Sequence, residues 1–153
     1  MSISITSPDF TQGGIIPVKF TCDGDDKSPR FTFSDIPDNA KSLAVICLDP
    51  DAPNGTFYHW LIYNIPPTLK GFIEGIPKNR QLQNGSLQGK NDYGQIGYNG
   101  PCCPKGSTHR YFFRLYALDV MLKISGGAND NELERAMKDR VIAQGELMAK
   151  FKR

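Results

Sequence analysis

Short apolar runs broken by turn residues fill the first four fifths of the chain, and only the last stretch changes period. Ile3 and Ile5 alternate with serines, Phe31 and Phe33 flank Thr32, and Leu43 to Leu48 is a continuous apolar run suited to a strand buried on both faces. The segment from Asp49 to Gly55, with two prolines and an Asn-Gly pair, cannot sustain a ladder and reads as a loop. Thr56 to Ile65 and His109 to Leu118 read as strands rich in aromatic and branched residues, with a turn-rich stretch from Asn91 to Ser107 between them. Period-two geometry groups Phe57, His59, Leu61 and Tyr63 on one face, His109, Tyr111, Phe113 and Leu115 on another, and Val45 and Cys47 with Asp49. Three polar side chains are thereby expected on the rim of one sheet.

From Asn129 the spacing becomes helical. Glu132 stands three residues on, as in a reciprocal cap, and Leu133, Ala136, Met137 and Val141 follow at helical intervals. Gly145 weakens a continuation, yet Leu147, Met148 and Phe151 form a further apolar patch and the Lys150 to Arg153 ending suits a helix C-terminus. A terminal helix packed on a sandwich is the expectation. With all 11 prolines and 14 of the 15 glycines punctuating the rest, the fold class is mainly β.

Composition narrows this further. A chain of 153 residues without repeats or linkers suits a single domain, 1–153, that buries roughly 70% of its unfolded surface. The net charge of +2, from scattered residues, lacks the basic footprint of a nucleic-acid binder. No apolar run is long enough for stable membrane insertion, and the start, Met1 to Phe10, lacks a signal pattern, which gives a cytoplasmic expectation. Four cysteines are too few for a disulfide scaffold, so reduced thiols are expected, with a bridged secreted form as the alternative. Adjacent Cys102 and Cys103 are expected to stay unbridged, because a vicinal disulfide strains the backbone.

The candidate chemistry gathers at Asp49, Asp51, His59, His109 and Tyr111. Imidazole and phenol groups with the amides of a glycine-rich loop are donors for a small phosphate-like or carboxylate anion, provided the aspartates hold the imidazoles rather than face the ligand. Protonation of either histidine should then tighten binding as pH falls below about 6.5. The same cluster also admits a small hydrolase as an alternative, although no nucleophile-elbow or zinc-protease motif accompanies it. Asp23-Gly24-Asp25-Asp26 opens like a calcium loop, but Ser28 and Ser34 replace the required glycine and glutamate, leaving a solvated turn. Cys102-Cys103 is spaced too tightly for a zinc knuckle. No metal or other cofactor is expected, and catalysis is not.

Asp49-Pro50-Asp51-Ala52-Pro53 followed by His59-Trp60 resembles the first signature of the phosphatidylethanolamine-binding protein family, also called the Raf kinase inhibitor protein family. Cys22-Asp23-Gly24 with Ser28-Pro29 is similar to its early motif, and Asn91 to Gly94, Gly97 to Pro101, Gly106 and His109-Arg110-Tyr111 to its second signature. The resemblance runs the length of the chain and is nearest the compact bacterial and archaeal branch. It implies an antiparallel Greek-key β-sandwich with a C-terminal helix and a small anion cavity. Asp49, Asp51, His59, His109 and Tyr111 match that cavity, Ala52 and Pro53 its first loop, and Gly100 and Pro101 the start of its second. Cys103 stands where relatives place a proline. The resemblance further implies a non-catalytic binding or regulatory protein, with inhibition of a kinase or protease through the surface as the alternative, and a possible homodimer.

Overall fold

The computed structural model describes residues 2–153. In chain order its strands are β1 (Ser4–Thr6), β2 (Phe31–Ser34), β3 (Ser42–Asp49), β4 (Phe57–Ile65), β5 (Gly71–Phe72), β6 (Leu87–Gln88), β7 (Thr108–Leu118) and β8 (Val141–Lys152), with a helix α1 (Asp130–Met137) before the last. A three-stranded sheet of order β1-β2-β5 lies on a five-stranded sheet of order β6-β4-β3-β7-β8, and the strand pairs in both are antiparallel. Among the described residues no helix is long and apolar enough to cross a membrane.

The apolar run of β3 is explained by its place between β4 and β7 and by cover on both faces; every one of its residues is buried. Leu43, Val45 and Cys47 face the core between the sheets with Phe33, Trp60, Phe72 and Phe113, while Ala44, Ile46 and Leu48 face outward against Leu122, Leu133 and Met137. The helix therefore seals the outer face of the large sheet. Its start is the expected one: Asn129 accepts from the Glu132 amide at 2.9 Å and the Glu132 carboxylate accepts from the Asn129 amide at 3.1 Å.

The expected continuation of that helix to the end of the chain is wrong. The helix stops after Met137, Asp139 turns at φ 64°, and residues 141–152 form β8, paired with β7 from Leu118↔Val141 to Thr108↔Lys152. The buried residues Ala143, Leu147, Ala149 and Phe151 follow a period of two, with Gly145 in the same series. Leu147, Met148 and Phe151 also fit a helical stripe, and that ambiguity misled the pattern. Gly145 has a packing cause, since a Cβ there would collide with the Ile3 carbonyl.

That contact belongs to a cover over the outer edge of β8. Ile3 N donates to Gln144 O at 3.5 Å, Gly13 N to Met148 O at 2.8 Å, Ile16 N to Lys150 O at 2.9 Å, and Lys150 N to Gly14 O at 2.8 Å. An edge of 12 residues that would otherwise present a row of unpaired amides is thus paired at Gln144, Met148 and Lys150.

Candidate functional site

The antiparallel order places the C-terminal end of β3 beside the starts of β4 and β7, so Asp49 pairs with Phe57 and Leu48 with Phe112. Asp49, His59, His109 and Tyr111 consequently meet at one end of the large sheet. On β7 the expected face holds, with Tyr111, Phe113 and Leu115 in the inter-sheet core. On β4 it does not. Pairing jumps from Cys47↔Trp60 to Leu48↔Tyr58, leaving His59 as the extra residue of a bulge. The bulge turns His59 toward Tyr111, at a ring separation of 5.5 Å, whereas Leu61 and Tyr63 pack on the opposite face.

The cavity so formed has a volume of about 530 Å³. Asp49, His59, His109 and Tyr111 line it, with Tyr93 and Phe57 as further aromatic wall. Asp49 is buried and both its oxygens are engaged: Oδ1 accepts from the Asp51 amide at 2.8 Å and Oδ2 from His109 Nδ1 at 2.7 Å. That bond gives His109 an Nδ1–H and leaves Nε2 free for a ligand. His59 Nδ1 donates to the Asn99 carbonyl at 2.8 Å, which again leaves Nε2. Burial holds the His59 pKa below its ordinary value, against the raising influence of the Asn99 carbonyl and of Asp49, so the ring is neutral at pH 7 and its Nε2 is an acceptor. The Tyr111 hydroxyl is buried without a hydrogen-bond partner. Burial, with the Cys103 thiol beside it, pushes this phenol far above the ordinary tyrosine range, and it remains a donor.

The other sequence candidates divide. Ala52 and Pro53 lie on the cavity wall. Asp51 turns away from it and grips Arg110 through Nε (2.9 Å), Nη2 (2.8 Å) and the backbone amide (2.9 Å). The Arg110 guanidinium lowers the Asp51 carboxyl to about 2. Gly100 and Pro101 stand behind the wall. Gly100 N donates to Asp26 Oδ1 at 2.8 Å, Pro101 O accepts from the Cys22 amide at 3.1 Å, and a Cβ on Gly100 would strike the Phe20 carbonyl.

Sequence reasoning missed the supports of this site. Tyr93 edges His59 and Phe57, at 5.8 and 4.7 Å between rings, and Asn99 fixes the His59 tautomer. Buried Asn91 holds Asn99 by donating to its Oδ1 at 2.8 Å. Asp26, read as part of a solvated turn, is a brace for residues 99 and 100, bonded to both. No local pattern marks such a role, because its partners lie 73 and 74 residues away.

The reduced-thiol expectation is also corrected. Cys22 and Cys102 form a disulfide, whereas Cys47 and Cys103 are free and buried. The adjacent pair is indeed unbridged, but Cys102 finds a partner 80 residues away because the loops after Phe20 and after Tyr98 lie side by side. Tyr98 Oη donates to Phe20 O at 2.6 Å to hold them there. Among the described residues no cluster of His, Cys, Asp and Glu could hold a metal ion.

Residues 6–152 match the sequence profile of phosphatidylethanolamine-binding proteins. The chain belongs to the phosphatidylethanolamine-binding protein family. A UPF0098 protein of Methanothermobacter thermautotrophicus is 46% identical over 144 residues, covering 94% of this chain and 95% of the relative. One from Pyrococcus horikoshii is 46% identical over 156 residues, covering 100% and 78%. Among solved structures, a phosphatidylethanolamine-binding protein homolog from Chlamydia trachomatis superposes with a TM-score of 0.90 at 39% identity, covering 99% of this chain and 98% of the other. E. coli YbcL, described as a member of the mammalian family, gives 0.91 at 29% identity, covering 100% and 99%. This member of the family thus shares its mainly β fold with solved relatives, and none of the names of these relatives specifies a catalytic activity.

Proposed function

We propose that the cavity of this family member reversibly binds a small oxyanion, a phosphate group or a carboxylate, and that the protein binds or regulates rather than catalyses. The observation that carries this reading is Tyr111, a residue of the cavity wall whose buried hydroxyl has only the Cys103 thiol beside it and no hydrogen-bond partner of good geometry. Buried polar groups are nearly always paired, so an orphan donor lining a cavity suits a ligand oxygen. His109, in its imidazolium form, offers an Nε2–H while Asp49 balances its charge. Neutral His59 offers an acceptor. A phosphate that keeps one proton fits this set, accepting from Tyr111 and His109 and donating to His59. Asp49 does not oppose it, because both its oxygens face protein donors.

The Asp49–His109 bond also has the form of a base held by its orienting carboxylate, which keeps a hydrolase as a second reading. The Cys22–Cys102 disulfide favours an oxidising compartment, the bridged form that the sequence left as the alternative, over the expected cytoplasmic one.

Calorimetric titration with inorganic phosphate and with sulfate at pH 7.5 tests the reading. Phosphate should bind more tightly than sulfate, which has no proton to give His59. Tyr111→Phe should weaken phosphate about fivefold, the worth of one hydrogen bond. Parent-like affinity in both Tyr111→Phe and His109→Ala would sink the idea. Steady release of alcohol from a phosphate or carboxylate ester, lost in His109→Ala, would establish the hydrolase instead.

A further inference from the structure

Anion binding leaves one piece of chemistry on the cavity wall unused. Cys22 and Cys102 are half-buried, and Cys102 lies between two depressions. It lines the large cavity, and with Cys22, Asp26, Tyr93, Asn99 and Gly100 it lines a smaller one of about 150 Å³. Arg153 reaches this bridge from the end of β8. Its Nη1 lies 3.5 Å from Cys102 Sγ and donates to the Cys103 carbonyl at 3.0 Å, while Nε and Nη2 hold Asp23 at 3.1 and 3.0 Å. A guanidinium therefore rests on the Cys102 sulfur of a disulfide that is open to small molecules.

We propose that Cys22–Cys102 is a thiol-exchange site coupled to the anion cavity: a low-molecular-weight thiol opens the bridge at Cys22, Cys102 leaves as a thiolate on Arg153, and the new negative charge weakens anion binding. A thiolate RS⁻ attacks Cys22 Sγ from the smaller depression. The R–S–S–Cys22 bond forms, the Cys22–Cys102 bond breaks, and its electron pair goes to Cys102 Sγ. A second RS⁻ attacks the R sulfur of the mixed disulfide, releasing Cys22 as thiolate and RSSR, so one bridge is reduced as two thiols are oxidised. The cation beside Cys102 favours it as the leaving sulfur, because a stabilised thiolate leaves faster.

Two hydrogen bonds join these loops without passing through the sulfurs, Cys22 N donating to Pro101 O at 3.1 Å and Gly100 N to Asp26 Oδ1 at 2.8 Å, so the loops are expected to stay docked when the bridge opens. Reduction thus alters the charge of the wall more than its position. Asp23 already shares the Arg153 charge and Asp26 faces the smaller depression, so the extra thiolate is incompletely offset. The coupling is reciprocal: an anion in the cavity shifts the equilibrium of the bridge toward the oxidised form.

This proposal rests on the anion reading for its coupling but not for its exchange step, and the experiment separates the two. The oxidised protein is mixed with glutathione, quenched with iodoacetamide, and the appearance of alkylated Cys102 is followed by mass spectrometry. Arg153→Gln should slow it about fivefold and Arg153→Lys should restore most of the rate. Equal rates in all three proteins would overturn the leaving-group assignment. Sulfate is then titrated into oxidised and reduced protein, into Cys22→Ser, and into Cys22→Ser/Cys102→Ser. Reduction and Cys22→Ser should each weaken sulfate about tenfold, the effect of one nearby charge, while the double variant should match the oxidised protein and ignore reductant. Unchanged affinity on reduction, or a double variant as weak as the reduced protein, would overturn the coupling. If the oxidised protein takes up no sulfate or phosphate, the anion reading itself fails, and the alkylation rates still judge the exchange.

Discussion

Asp49 and Asp51, two residues apart in one motif, perform different work. Asp49 is buried and orients His109, while Asp51 faces outward and ties the loop after β3 to Arg110 on β7. Asp49→Asn should weaken phosphate binding about tenfold, since an amide cannot balance an imidazolium. Asp51→Asn should leave affinity within about twofold and cost roughly 1 kcal/mol of stability, modest because the pair is solvent-screened. Urea melts and calorimetry on both variants measure this contrast. The Asp51 carboxyl is depressed to about 2, so its contribution is present above the ordinary value near pH 3.9 and disappears as pH falls through 2. His59 gives the same direction of pH dependence from a different cause. Its pKa is lowered by burial, so the unfolded chain takes its proton first; stability is greatest above about pH 6.5 and falls as pH drops toward the depressed value. Melting temperatures at pH 7.5 and 5.5 should show that fall in the parent and a smaller one in His59→Gln. Residue types revealed the polar cluster in the sequence. Their roles were not legible there, because Asp51 and Asp49 differ only in the partners that the fold brings to them.

At the scale of elements, what the sequence made legible was alternation, and what it hid was the interruption of alternation. β3 and β7 were readable because burial on both faces and strict period two leave plain patterns. β4 was readable as a strand but not in its facing, since nothing in Phe57-Tyr58-His59-Trp60 announces that His59 is looped out of the ladder. The end of the chain was misread because its apolar residues satisfy two periods and only pairing with β7 chooses between them. Two substitutions check these assignments by chemical denaturation. Asn129→Ala should cost about 1 kcal/mol through loss of the helix cap. Gly145→Val would suit an isolated strand, yet here it should destabilise by about 2 kcal/mol or more, because its side chain would displace the Ile3 carbonyl.

For the whole molecule, the Cys22–Cys102 bridge closes a span of 80 residues that includes β2 through β6. Constraining an unfolded loop of that length should contribute about 2 to 4 kcal/mol, so Cys22→Ser/Cys102→Ser should melt well below the oxidised parent while keeping its spectrum. The cover on β8 carries a different consequence, one of timing. Residues 13–16 lie against residues 148–150, and Ile3 against Gln144, so an early-made segment waits for a strand made well over a hundred residues later. During synthesis Ile3, Phe10 and Ile16, all buried in the finished molecule, have an incomplete shelter until residues 141–152 leave the ribosome. The large sheet therefore closes only once β8 has been made, at the slow pace of distant pairings, and the nascent protein passes through a period in which a chaperone that holds apolar segments has something to hold.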